Sequence, residues 1–349
     1  MCPICRHVAA LEGYTPGEQP HFPGMVKLNT NENPYPPSPK VGEALKAFDW
    51  ETLRLYPDPV FSKVRGIIAK NVGCREEQIF VGNGSDEILA LFTRAFVEVG
   101  GTVGYFEPTY SLYSVLTAIR DAKGKPLPLN ADFTCPTPPE DFSDAFVWTN
   151  PNAPTSMMAA PEAIAAFAKR YRGVLLVDEA YADFAPANCM ALAAAPDNTN
   201  TLVMRTLSKS FSLAGLRFGY CVGPEPLIAA LYKIKDSYNM DALAQCIGAA
   251  ALSDQPHMRA NVKKILAVRA LLTMALESHG WQVLPSATNF LFAKPPAPIH
   301  AADLFAALRE EHIYVRYFPG PRTGEWLRIT VGTEEESATL LCAIAELGA

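Results

Sequence analysis

The sequence predicts an α/β fold, with a mostly parallel sheet sandwiched by helices and joined to a smaller α+β domain. Three observations carry that expectation. Short apolar runs alternate with amphipathic segments between residues 78 and 205. Several of those runs are apolar at nearly every position rather than at every second one. Beyond about residue 225 the strand signals give way to long Ala-rich stretches. A strand that is apolar throughout is covered on both faces, as in a parallel sheet between two helical layers.

Taken in chain order, Gln78–Gly82 (QIFVG) reads as a strand and Asp86–Val99 as a helix of apolar periodicity. Thr102–Phe106 reads as a strand and Tyr110–Ala122 as a helix. Ala145–Thr149 (AFVWT) is a strand. Pro161–Tyr171 is a helix that opens on proline, where the missing N–H would have had no intrahelical partner. Gly173–Val177 and Thr201–Arg205 are apolar strands. Next come helical stretches at Pro226–Asn239 and Leu243–Ser278. The remaining strands are Asn289–Ala293, Tyr314–Tyr317 and Leu327–Val331, with helices at Ala302–Glu311 and Glu334–Leu347. The 30 prolines cluster near residues 16–39, 126–139 and 295–298 and mark connections. The expected division is an N-terminal arm over 1–40, a large domain over 41–235 and a small C-terminal domain over 236–349.

Composition excludes several function classes. Lys plus Arg is 30 against 36 Asp plus Glu, a net charge of −6, whereas a dedicated nucleic-acid binder carries a basic surplus. No run of 18 uncharged apolar residues is present, so a membrane span is not expected. The N-terminus lacks the apolar stretch of a secretory signal. Eight cysteines are too sparse for a disulfide scaffold and point to the reducing cytoplasm. Cys2 and Cys5 form a C-x-x-C without a second pair, so they read as a reduced terminus, and no metal site is expected.

In open α/β sheets ligands bind beyond the carboxyl ends of the strands, and reactive residues collect there. Asp178-Glu-Ala-Tyr181 follows the Gly173–Val177 strand, and Thr206-Leu-Ser208-Lys209 follows the Thr201–Arg205 strand. A lysine just past a buried strand is partly desolvated. That lowers its pKa and makes the amine a nucleophile able to form a Schiff base. The turn Gly82-Asn-Gly84-Ser85-Asp86-Glu87 lies where a strand becomes a helix, so its first free N–H groups can face an anion. In that site Asp86 and Glu87 contribute backbone N–H groups rather than carboxylates. Taken alone, the turn reads equally as a helix cap, and Tyr110 reads as a core aromatic.

S-K-x-F-x-L-A-G-L-R-x-G over 208–219, preceded by Asn150-Pro-Asn152-Ala-Pro-Thr155 and Asp178-Glu-Ala-Tyr181, resembles the pyridoxal-phosphate aminotransferases of the aspartate aminotransferase fold (fold type I). Leu11-Glu-Gly-Tyr14, Leu28-Asn-Thr-Asn31-Glu-Asn-Pro and Leu327-Arg328 extend the similarity over nearly the whole chain, and within that group it is greatest to the histidinol-phosphate aminotransferases.

The resemblance implies pyridoxal 5'-phosphate as cofactor, held through a Schiff base on Lys209, with Asp178 paired to the pyridine nitrogen. Tyr181 and Asn152 would bond the phenolic oxygen, and Tyr110 would stack on the ring. Ser85, Asp86, Glu87, Thr206, Ser208 and Arg217 would cradle the phosphate, completed by Tyr56 from a partner subunit of a homodimer. Arg328 and Arg316 would engage substrate anions, with Tyr14, of this or the neighbouring chain, and Asn31 nearby. The implied reaction is transamination between L-histidinol phosphate and 2-oxoglutarate. The family's relatives leave two alternatives, an aromatic amino-acid aminotransferase and a threonine-phosphate decarboxylase. Transcription regulators that use this fold carry an N-terminal winged helix, for which the residues before Leu28 are too few. The chain departs from the family's N-P-N-N-P-T-G at Ala153 and Ser156.

Overall fold

The structure is a computed structural model that describes residues 4–348, so Cys2 of the terminal C-x-x-C lies outside it. Its strands, in chain order, are β1 (Val26–Lys27), β2 (Ile79–Asn83), β3 (Thr102–Glu107), β4 (Lys123–Pro128), β5 (Ala145–Thr149), β6 (Val174–Asp178), β7 (Thr201–Thr206) and β8 (Phe218–Val222). They are followed by β9 (Gln282–Val283), β10 (Phe290–Lys294), β11 (Ile313–Tyr314), β12 (Arg316–Tyr317) and β13 (Leu327–Thr330).

Seven strands form the central sheet in the order β2-β8-β7-β6-β5-β3-β4. β8 runs antiparallel to both of its neighbours, and every other pairing is parallel. All of β5 and all but the first residue of β6 are buried, as the apolar runs require. The helix Gly84–Phe96 buries Ile88, Leu91 and Phe92, which lie three and four apart on one face. Pro161–Arg170 opens on proline, buries Ile164, Phe167 and Ala168, and ends on Lys169 and Arg170 against its negative pole. Because β2, β3, β5, β6 and β7 share one direction, their carboxyl ends meet along one edge of the sheet.

A four-stranded antiparallel sheet, β12-β13-β10-β9, forms the second layer system. The segment expected as one strand at Tyr314–Tyr317 divides in two. β11 pairs in parallel with β1 from the N-terminal arm, and β12 pairs antiparallel with β13. Residues 26–27 of the arm are therefore part of the C-terminal assembly. The expected helical stretch 243–278 is broken into Ala242–Leu252 and Gln255–Ser278, because Pro256 cannot continue the preceding helix. Ala242–Leu252 packs against helices Pro39–Ala47 and Ser62–Val72. The long helix carries Met258, Val262, Ile265 and Val268 into the core of the large sheet and Leu272 and Leu276 into the core of the small one. Among the described residues no helix is long and apolar enough to cross a membrane.

Candidate active site

The carboxyl edge of the central sheet opens on a cavity of about 670 Å³ that also reaches β12 and β13. Thirteen of the residues singled out in the sequence line it: Ser85 and Asp86 after β2, Tyr110 after β3, Asp178 and Tyr181 at the end of β6, and Thr206, Ser208 and Lys209 after β7. Arg217 comes from before β8, Arg316 and Arg328 from the small sheet, and Tyr14 and Asn31 from the arm.

Three predicted residues lie outside that lining. Tyr56 is 81% exposed and stacks on Tyr238 with ring centroids 4.4 Å apart, away from the cavity of its own chain. Glu87 turns its carboxylate back to accept from the Asn83 N–H at 2.5 Å and from Asn239 Nδ2 at 2.8 Å. Asn152 is buried behind the wall. Its Oδ1 accepts from Thr109 Oγ1 at 2.7 Å, and its Nδ2 donates to the Pro108 carbonyl at 3.0 Å and to Thr155 Oγ1 at 2.9 Å. Tyr14 packs edge-on against Tyr110 of the same chain, with ring centroids 5.7 Å apart.

Lys209 Nζ donates to the Thr30 carbonyl at 3.1 Å and lies 5.8 Å from the centre of the Tyr181 ring. Burial lowers its pKa to about 8. The Arg328 and Arg217 cations add to that shift, and Glu32 and Asp86 oppose it. A lysine in this setting is partly neutral near neutral pH, as a nucleophile requires. The loop that carries it is held from outside, since Asn33 Nδ2 donates to the carbonyls of both Lys209 and Ser210 at 3.2 Å.

Asp178 shows the opposite perturbation. Burial raises its pKa to about 6 even though it accepts from Tyr113 Oη at 2.7 Å and from the Ala180 N–H at 3.1 Å. Both donors are neutral, and no cation pairs with it among the described residues. A buried carboxylate without a counter-charge is costly, and this one faces the cavity.

A third corner suits an anion. Gly84 has φ +79°, a backbone that favours glycine, and a Cβ there would fall 2.7 Å from Arg217 Nη2 at the tip of that side chain. Arg217 Nη2 pairs with Asp86 Oδ2 at 3.1 Å, while Thr206 Oγ1 donates to Ser208 Oγ at 3.0 Å. The start of the helix adds its positive pole. On the fourth side, β12 and β13 place Arg316 directly opposite Arg328. Like charges in register across two strands repel. Arg328 gives one donor to the Asn29 carbonyl at 2.7 Å, and its buried Nε has no partner. Such a pair is poised to bind a dianion.

Residues assigned no role in the sequence also build this site. Tyr113 bridges Asp178 and Thr149, with 2.7 Å to each. Its spacing of three from Tyr110 at a helix start was the available signal. Arg205, Glu179 and Asp183 form a mostly buried ion network in which Asp183 also bonds Ser210 Oγ. Each of its members adjoins or nearly adjoins a cavity residue in the chain. Ser156, where the family pattern has glycine, still adopts φ +63°. The turn geometry is therefore kept without the glycine. Ser156 also links to the C-terminal part of the chain, through its Oγ to the Pro285 carbonyl at 3.2 Å and through its own carbonyl to the Ala287 N–H at 2.9 Å.

A buried lysine of lowered pKa, a buried acid without a counter-charge and arginines on two sides surround one cavity, an arrangement of the aminotransferase type. Residues 23–344 match the family of aminotransferases of class I and II, and the chain belongs to that family. It is 42% identical over 350 residues to the histidinol-phosphate aminotransferase of Geobacter sp. (strain M21), an alignment covering 100% of this chain and 99% of the relative. The same enzyme of Syntrophotalea carbinolica is 42% identical over 359 residues, with 100% of both chains covered. The fold matches that of the Sinorhizobium meliloti histidinol-phosphate aminotransferase, solved in complex with pyridoxal-5'-phosphate, with a TM-score of 0.83 at 24% identity over 91% of this chain and 89% of that one.

Proposed function

We propose that the protein transfers an amino group between L-histidinol phosphate and 2-oxoglutarate, with pyridoxal 5'-phosphate as cofactor, as a step of histidine biosynthesis. The observation that carries this reading is the presence, in one cavity, of Lys209 with its lowered pKa and the buried Asp178 without a counter-charge. The residues present fit the cofactor. Asp178 lacks the cation that a protonated pyridine nitrogen would provide, and the Gly84–Arg217 corner is a cradle that a Cβ would fill. Bound there, pyridoxal phosphate supplies a carbonyl that takes up the amino group and a ring that stabilises negative charge at the substrate carbon.

This chain's own residues do the rest. Lys209 Nζ would hold the cofactor and, once freed by the substrate amine, would be the base that moves the proton between the substrate carbon and the cofactor carbon. The Asp178 carboxylate keeps a proton on the ring nitrogen. Tyr181 Oη would address the phenolic oxygen, Asn152, whose amide is bonded to Thr109, Pro108 and Thr155, braces the wall behind it, and Tyr110 would support the ring face. Ser85, Thr206, Ser208, Arg217 and the backbone N–H groups at Asp86 and Glu87 hold the cofactor phosphate. Arg316 and Arg328 hold the phosphate of histidinol phosphate in one half-reaction and the carboxylates of glutamate in the other, since a guanidinium fork fits either anion.

The reading includes a homodimer in which Tyr56 reaches the partner's phosphate site. It is supported by the exposed apolar run Trp50, Leu53, Leu55, Tyr56 and Val60, unusual on a monomer surface. It also includes a cytoplasmic location, supported by the seven described cysteines being unpaired.

The test is a single-turnover half-reaction without keto acid, using cofactor-loaded enzyme and Lys209→Ala as the blank. Loss of visible absorbance with histidinol phosphate, much faster than with phenylalanine, is the expected result. Reaction with phenylalanine alone would move the enzyme to aromatic substrates, and CO2 release from O-phospho-L-threonine would make it a decarboxylase.

A further inference from the structure

The sequence resemblance put Asn31 beside the substrate, but its side chain is committed elsewhere. Asn31 is 1% exposed and has φ +57°. Its backbone N–H donates to Thr330 Oγ1 at 3.0 Å, Thr330 Oγ1 donates back to Asn31 Oδ1 at 3.0 Å, and Asn31 Nδ2 donates to Tyr181 Oη at 2.9 Å. Asn289 Nδ2 caps the Asn31 carbonyl at 3.0 Å.

The direction of this chain follows from hydrogen-bond counting. A backbone N–H can only donate, so Thr330 Oγ1 accepts from Asn31 and must spend its own proton elsewhere. The nearby acceptor is Asn31 Oδ1, which fixes the amide with its NH2 toward Tyr181. With the amide flipped, Thr330 Oγ1 would face two donors and its buried proton would lack an acceptor, which costs free energy. Tyr181 Oη therefore accepts from Asn31 and keeps its own proton for the cavity that it lines.

We propose that Asn31 is a positioning residue that acts through Tyr181: a one-way hydrogen-bond chain anchored on Thr330 of β13 aims the Tyr181 hydroxyl proton into the active-site cavity. The proposal rests on the functional reading above and adds a determinant of Lys209 protonation to it. A cofactor oxygen that receives the Tyr181 proton holds less negative charge, so it is less able to retain a proton on Lys209 Nζ. The chain also ties that proton to the substrate side, because Thr330 and Arg328 lie on the same strand.

The charged groups facing Lys209 are Arg328, Glu32, Arg217 and Asp86. Those facing Tyr181 are Arg328, Asp178 and Asp86. A substitution that adds charge would act on Lys209 directly, so the experiment must separate that effect from the relay.

The experiment is a visible-absorbance pH titration of full-length, cofactor-loaded enzyme for wild type, Asn31→Asp, Tyr181→Phe and the double variant. Asp tolerates the left-handed backbone at this position but accepts from Tyr181 and draws its proton out of the cavity. The expected result is that Asn31→Asp and Tyr181→Phe each move the midpoint upward by tenfold or more in proton affinity, and that the double variant moves it no further than Tyr181→Phe alone. Thr330→Val, which frees the amide to flip, shifts it in the same direction, whereas Thr330→Ser leaves it at the wild-type pH. This pair decides the matter should Asn31→Asp fail to fold. Shifts that add in the double variant would mean that the new carboxylate acts on Lys209 by charge alone, and the relay would be overturned. A Thr330→Val midpoint equal to wild type would overturn it as well. A wild type that develops no visible band with pyridoxal phosphate would instead overturn the functional reading and this inference with it.

Discussion

Replacing Asp178 with asparagine is expected to stabilise the cofactor-free protein while crippling the enzyme. The carboxyl pKa rises from 3.8 to about 6 in the fold because the group is buried without a cation. A rise of that size corresponds to about 3 kcal/mol of differential free energy. Its sign follows from linkage. The folded state binds the proton more tightly than the unfolded chain, so the native stability contributed by this group is complete below 3.8 and is lost as pH rises through about 6. Asparagine carries no charge and keeps the existing partners. Its oxygen can still accept from the Ala180 N–H, and its NH2 can donate to Tyr113 Oη, whose own proton then goes to Thr149 Oγ1. Cofactor-free Asp178→Asn should therefore melt above wild type at pH 8, by an amount approaching 3 kcal/mol, with roughly half of that advantage remaining at pH 5. The assay is thermal or urea unfolding of both cofactor-free proteins at pH 5, 6, 7 and 8, followed by the same series with pyridoxal phosphate, which should reverse the ranking. A variant less stable than wild type at pH 8, or a gap that does not change between pH 5 and 8, would refute the claim that Asp178 is a buried acid awaiting a cation.

Gly84→Ala places a Cβ 2.7 Å from Arg217 Nη2 at a backbone of φ +79°. It should cost about 1–2 kcal/mol in unfolding measurements and weaken cofactor retention on dialysis by more than tenfold. Because Lys209 titrates at about 8, its rate of capture of pyridoxal phosphate should climb with pH and level off above that value, and a stopped-flow pH series would show a continued rise toward 10 if the lysine were unperturbed. Tyr56→Phe removes only an exposed hydroxyl, so monomer stability should not change. Cofactor affinity should nonetheless fall several-fold in equilibrium titrations if Tyr56 completes the partner's site.

Where the sequence was legible, each element announced itself locally. β5, β6 and β7 are buried along nearly their whole length because both faces are covered, and Ala145–Thr149 ends where expected. β4 was hidden because Pro126 and Pro128 read as a connection. It is an edge strand, pairing only with β3, where prolines are tolerated. β8 was hidden inside the lysine motif. Residues 207–217 are too short a link to carry a helical crossover, so the chain must return antiparallel, as it does. The same division holds in the site. Arg217 precedes the hidden β8, whereas Asp178 and Lys209 sit at or just past the carboxyl ends of β6 and β7 and could be located by the strand-end rule alone. The relay through Asn31 could not, because its members are 150 and 299 positions apart. Nothing in the local spacing of Asn31, Tyr181 or Thr330 specifies that they meet. Their meeting depends on the arm crossing to β13, which in turn depends on β1 pairing with β11 over two residues. The two-residue strand with the weakest sequence signal thus helps to bring Asn31, Tyr181 and Thr330 together.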